Sequence, residues 1–117
     1  MKLILAAALA AAFAAAPALA QGQAPAAVPA GQLRADRLID RDVYTSDNVE
    51  VGEVEDLLID PASGRVTMVV IEVENRLGIT QKYVSVPLER LRAAPGERRA
   101  TLNMASEEFR ALPAVNY

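Results

Sequence analysis

Beyond residue 50 the apolar positions of this chain fall into short β-branched runs separated by turn residues. Residues 51–60 read V-G-E-V-E-D-L-L-I-D, and residues 66–74 read V-T-M-V-V-I-E-V-E. Between them stands Asp60-Pro61-Ala62-Ser63-Gly64, where Pro presets a turn and Gly accepts positive φ, so the pattern predicts a β-hairpin. A third run, Lys82-Tyr83-Val84-Ser85-Val86, alternates with Val84 and Val86 inward and stops at Pro87, which has no N–H for a ladder. The three runs predict an antiparallel meander.

The details of these runs predict curvature. Along residues 53–60 neither alternate set is purely apolar, as expected of a strand that bends around a small barrel and shows different faces along its length. Gly52, isolated in a strand pattern, marks a bulge or a close backbone approach. The nearly unbroken apolar run from Val66 suits a strand covered on both sides. Residues 37–44 (R-L-I-D-R-D-V-Y) are expected to form a first strand, followed by the turn cluster Thr45-Ser46-Asp47-Asn48. Residues 88–91 suit one helical or 3-10 turn with Leu88 and Leu91 on one side. Residues 99–103 are expected as a last strand. Ser106 is a candidate N-cap for a short helix to Leu112, halted by Pro113, whose Phe109 and Leu112 plug one barrel end.

The first third of the chain has a different character. One positive charge at Lys2, an apolar run over residues 3–16 and the small-x-small pattern Ala18-Leu19-Ala20 predict a cleaved secretory signal over residues 1–20. The run is short for a bilayer span and is interrupted by Pro17, so no stable membrane span is expected after cleavage. Residues 21–34 mix Gly and Pro breakers with Ala and Gln and are expected as a flexible leader. The barrel domain is placed at residues 35–113 and a C-terminal tail at 114–117. The expected location is the bacterial periplasm.

Composition narrows the chemistry. The chain has no His, Cys or Trp, which removes Cys–His nucleophiles, Ser–His triads, the usual zinc sites and any disulfide framework. After loss of Lys2, 11 basic residues face 15 acidic ones, a surface that repels phosphate, so nucleic acid is not an expected partner. Glu53, Glu55, Asp56 and Asp60 cluster, and could serve acid–base work or a cation. The calcium-loop spacing D-x-D-x-D-G is missing, however. The simpler reading is that Asp60 starts the hairpin turn, Asp56 accepts from a backbone amide near Gly52, and both Glu are solvated. Nothing in sequence near Lys82 would desolvate it into a catalytic amine. Arg90, Arg92, Arg98 and Arg99 lack interleaved aromatics and read as solvated surface. The expectation is a non-enzymatic protein without a cofactor or metal. The loop N-R-L-G-I-T-Q carries Leu77, Gly78 and Ile79 where polar residues are usual, so these residues either fold back over the barrel or contact a partner.

Taken together, V-Y-T-S-D-N-V-E-V-G-E-V-E-D-L-L-I-D-P-A-S-G-R-V, the V-V-I strand and V-S-V-P-L-E-R-L resemble the PRC-barrel domain, shared by the photosynthetic reaction centre H subunit and a ribosome-maturation factor. The resemblance rests on Gly52 and Val54, Asp56, Leu57-Leu58-Ile59, Asp60 with Gly64, and Val86-Pro87-Leu88. Leu77-Gly78-Ile79 is similar to a loop of exported, free-standing alphaproteobacterial members, although Glu74 and Asn75 stand where those relatives have glycines. The resemblance implies an all-β fold, a small, mostly antiparallel PRC-type barrel with a short C-terminal helix. It also implies an interaction or assembly module that binds a protein partner or a second copy of itself, and it brings no catalytic set to carry over. A different expectation is a small-ligand or cation sensor using residues 53–60.

Overall fold

Two long strands carry the sheet, and shorter ones extend it on either side. The computed structural model describes residues 24–74 and 81–117. In chain order the elements are α1 (Ala35–Leu38), β1 (Asp42–Tyr44), β2 (Glu50–Asp60), β3 (Arg65–Val73), β4 (Tyr83–Pro87), a 3-10 turn (Leu88–Arg90), β5 (Leu91–Arg92), β6 (Arg99–Leu102) and α2 (Ser106–Arg110). The expected meander is β2-β3-β4, antiparallel throughout. Its hairpin turn is held by the Asp60 carboxylate, which accepts from Ala62 N and Ser63 Oγ, and by Gly64 at φ +72°.

The six strands lie in the order β4-β3-β2-β1-β6-β5, and β1 pairs with β6 in parallel while every other pair is antiparallel. The fold is the expected mostly antiparallel all-β one, but the barrel is not closed: β4 and β5, the two outer strands, do not pair. The chain passes from Pro87 straight into the 3-10 turn and then into β5, which pairs with β6 and not with β4. The 3-10 turn and α2 cover the open side instead, with Leu88, Leu91 and Leu112 packed on the core and Phe109 buried within it.

Two irregularities resolve the mixed pattern of β2. The pairing steps from Val54↔Ile71 to Asp56↔Val70, leaving Glu55 as a bulge, and from Leu58↔Met68 to Ile59↔Val66, leaving Thr67 unpaired. Because side chains alternate, the first bulge exchanges faces, so that Val54 and Leu57 both reach the core although three residues apart. The core is completed by Val43, Val51, Val69, Ile71, Val84, Val86, Leu102 and Met104.

The amino-terminal part of the domain corrects the sequence reading. Residues 35–38 are helical, and only residues 42–44 form a strand. Asp40 turns the chain at φ +71°, a conformation Asp tolerates, and Leu38 enters the core. Leu33 also packs against the core.

Candidate functional site

Gly52 lies opposite Val43 on one side and Val73 on the other, and a Cβ there would collide with the Glu72 carbonyl oxygen. Next to it, the register of β1, β2 and β3 sets acidic residues in a row. Across it Asp42 stands opposite Glu53, and Glu53 opposite Glu72. Partial burial, then the charges of Asp42, Asp40, Glu72 and Glu50, raise the Glu53 carboxyl above its ordinary value. Like charges facing each other across strands cost stability. Among the described residues, however, no group of three acidic side chains converges as a metal-ligand set. The row gives the cation-sensor expectation no ligand geometry.

Beside this row the C-terminal residues 113–117, expected as the end of the domain and a tail, run along the sheet. Val115 N donates to the Tyr83 carbonyl at 2.8 Å, and the Tyr117 ring lies 5.0 Å from that of Tyr83. Tyr117 Oη donates to Asp56 Oδ2 at 2.5 Å. Asp56 and Ser85 flank Val70 in the sheet, on the face away from the core, and Val70 is only 1% exposed. β3 is thus covered on both sides at this point, as its apolar run predicts. Asp56 accepts from the amide of the next residue, Leu57, and not from one near Gly52. These bonds lower the Asp56 carboxyl, with Tyr117 the larger cause, and the same bond pushes the Tyr117 phenol up to about 12.

The edge of β4 offers little to an added strand. Lys82 O accepts from Val73 N, so Val84 and Val86 turn their backbone groups to β3 while Tyr83, Ser85 and Pro87 turn theirs outward. Pro87 has no N–H, and Val115 occupies the Tyr83 carbonyl. Proline and cover of this kind are how sheet edges avoid pairing. Among the described residues Ser85 alone keeps both outward groups unclaimed. β5, at the other end of the sheet, is two residues long.

The β2–β3 hairpin is different. β1 stops opposite Glu53 and β4 stops opposite Met68, so beyond these points the hairpin projects as two strands. Ile59, beyond both points, is 62% exposed, and Leu58, opposite Met68 where β4 ends, is 40% exposed. In the sequence these two residues belong to the triplet Leu57-Leu58-Ile59. The signal was present, since three successive apolar residues in a strand cannot share one face. The expected partner contacts Leu77, Gly78 and Ile79 lie outside the described residues.

The remaining candidates disperse. Ser106 is the first residue of α2 and not its cap; Ala105 holds that position. The cap comes from Asp47, whose carboxylate accepts from Ser106 N at 3.0 Å and from Ser106 Oγ at 2.6 Å, and also from Thr45 Oγ1 at 2.6 Å. Those bonds, Ser106 foremost, hold the Asp47 carboxyl down at about 2. Arg90 pairs with Glu108 at 3.0 Å, and Arg99 stacks on Tyr44 and donates to Asn48 Oδ1. Lys82 lies just before β4, and its carbonyl accepts from Val73 N. No described helix is long and apolar enough to cross a membrane.

Comparison with curated proteins gave no match. The profile of the PRC-barrel domain matches residues 30–108, from the turn before α1 into α2. That span holds all six strands, the Gly52 approach and the hairpin, so the chain belongs to the PRC-barrel domain family, whose members serve generally as interaction and assembly modules.

Proposed function

We propose that this domain is a non-enzymatic interaction module of the bacterial periplasm, exported by a signal peptide cleaved after Ala20, and that it binds a protein partner or a second copy of itself. The observation that carries this reading is the apolar end of the β2–β3 hairpin. Leu58 and Ile59 stand in water at a place where β2 and β3 have outrun their neighbours, while thirteen other apolar residues among those described are buried. Burying an exposed Leu or Ile gains about 1.5–3 kcal/mol each, which a partner surface can supply. Recognition proceeds through these side chains, because both outer strands are short or obstructed. Because Leu58 and Ile59 point to opposite faces of the projecting hairpin, the contact suits a partner that takes the hairpin end from both sides, with Asp60, Ser63, Arg65 and Thr67 as a polar rim.

The test is affinity capture from a periplasmic fraction with the wild-type protein and the Leu58→Asp/Ile59→Asp variant. Circular dichroism of the variant is expected to be unchanged, since both side chains lie outside the core, while the captured protein is lost. Equal capture by both proteins overturns the assignment of this surface. Amino-terminal sequencing of the periplasmic form is expected to begin at Gln21; recovery only from the cytosol overturns the location.

A further inference from the structure

Away from the hairpin, a cleft of about 550 Å³ opens between the segment leading into α1 and the turn after β5. Its floor includes Arg41, which is 6% exposed. The guanidinium joins the two walls: Nη1 donates to Ala94 O at 2.9 Å, and Nε and Nη2 donate to Arg37 O at 3.3 and 3.2 Å. These partners are neutral carbonyls. Arg41 forms no ion pair with any described residue, and two of its five N–H donors take no partner among them. A buried guanidinium without a counter-charge is expensive, because carbonyl dipoles replace only part of its hydration.

The charges around the floor do not supply that counter-ion. Arg37 from α1 and Arg98 from the opposite turn line the cleft, and neither is ion-paired with a described residue. Of the three acidic residues along the walls, Asp36 is engaged by Arg34 at 2.7 Å, which leaves Asp40 and Glu97 against Arg37, Arg41 and Arg98. The cleft is therefore locally cationic in a chain of net negative charge. Apart from Gln32 and Gly96, its uncharged lining is apolar, and includes Leu33, Ile39 and Pro95. A volume in this range suits a small molecule better than a bare ion, and a cation beside an apolar wall suits an amphiphile.

We infer that this cleft is a binding site for a small organic anion, with a carboxylate or phosphate group on the spare donors of Arg41 and an apolar body against Leu33, Ile39 and Pro95. Planar guanidinium forks match both oxyanions, and Arg37 and Arg98 add attraction at the mouth. The site is separate from the hairpin surface and does not depend on it.

Titration calorimetry of the purified protein at low salt, with octanoate, octyl phosphate and neutral octanol as probes, tests this inference. One saturable site for an anionic probe is expected, and the tighter of the two names the head group. Because Arg41 ties α1 to the turn, its removal endangers folding; the Arg37→Gln/Arg98→Gln variant leaves that tie intact. It is expected to weaken the anion about fivefold. The inference is overturned by no saturable binding of either anion at millimolar concentration, by octanol binding as tightly as both, or by unchanged affinity in the variant.

Discussion

At Gly52 the backbones of β2 and β3 approach so closely that any side chain would meet the Glu72 carbonyl. Neither backbone can retreat without breaking its ladder, so Gly52→Ala is expected to cost about 2–4 kcal/mol in urea denaturation. That position was legible, because a lone Gly inside a strand pattern points to a bulge or to a close approach of backbone. Asp47 was not: it sits in a turn cluster where its side chain has local uses, and its main partner, Ser106, lies 59 residues away. Its carboxyl falls from an ordinary 3.8 to about 2 in the folded protein, chiefly through the Ser106 hydroxyl. A depressed folded value gives stability that is present above about pH 4 and is lost as the pH falls through about 2. Asp47→Asn is expected to flatten the acid limb between these values in thermal denaturation as a function of pH; an unchanged limb would assign it to other carboxylates.

Among the elements, β2, β3 and β4 were legible because they pair with their sequence neighbours through tight or moderate connections. The parallel pairing of β1 with β6 was not, since it joins residues more than fifty positions apart and β1 is three residues long. Helix α1 was missed for a related reason: a four-residue helix is held by the tertiary burial of Leu38 and leaves little periodicity to read. The C-terminal segment is the element whose contacts carry the clearest signature. Asp56 holds the Tyr117 phenol at about 12, and Tyr83 and Tyr44 are raised as well, chiefly by burial. A raised folded value means that this contact stabilises below about pH 10 and is lost as the pH rises through about 12. In a spectrophotometric tyrosine titration, Tyr117→Phe is expected to remove the latest phase, and Asp56→Asn to shift it earlier. A single phase near pH 10 in the wild-type protein would show that the segment does not lie on the sheet.

For the whole molecule, the sheet curls far enough to enclose one core but leaves β4 and β5 unpaired, with the 3-10 turn and α2 over the opening. A closed barrel has no edges to protect. This open one guards its β4 edge with Pro87 and the C-terminal segment, and among its described strands the exposed large apolar residues lie at the end of the β2–β3 hairpin. The fold class could be read from the order of runs and turns, whereas the exposed site could not, because exposure of Leu58 and Ile59 follows from where β1 and β4 stop. The most direct measurement is photo-crosslinking in intact cells, with the reactive residue at position 59 and a control at the exposed Arg92. A discrete adduct at position 59, absent at 92 and abolished by Leu58→Asp, is the expected result; the same adducts from both positions, or none from position 59, would contradict the account.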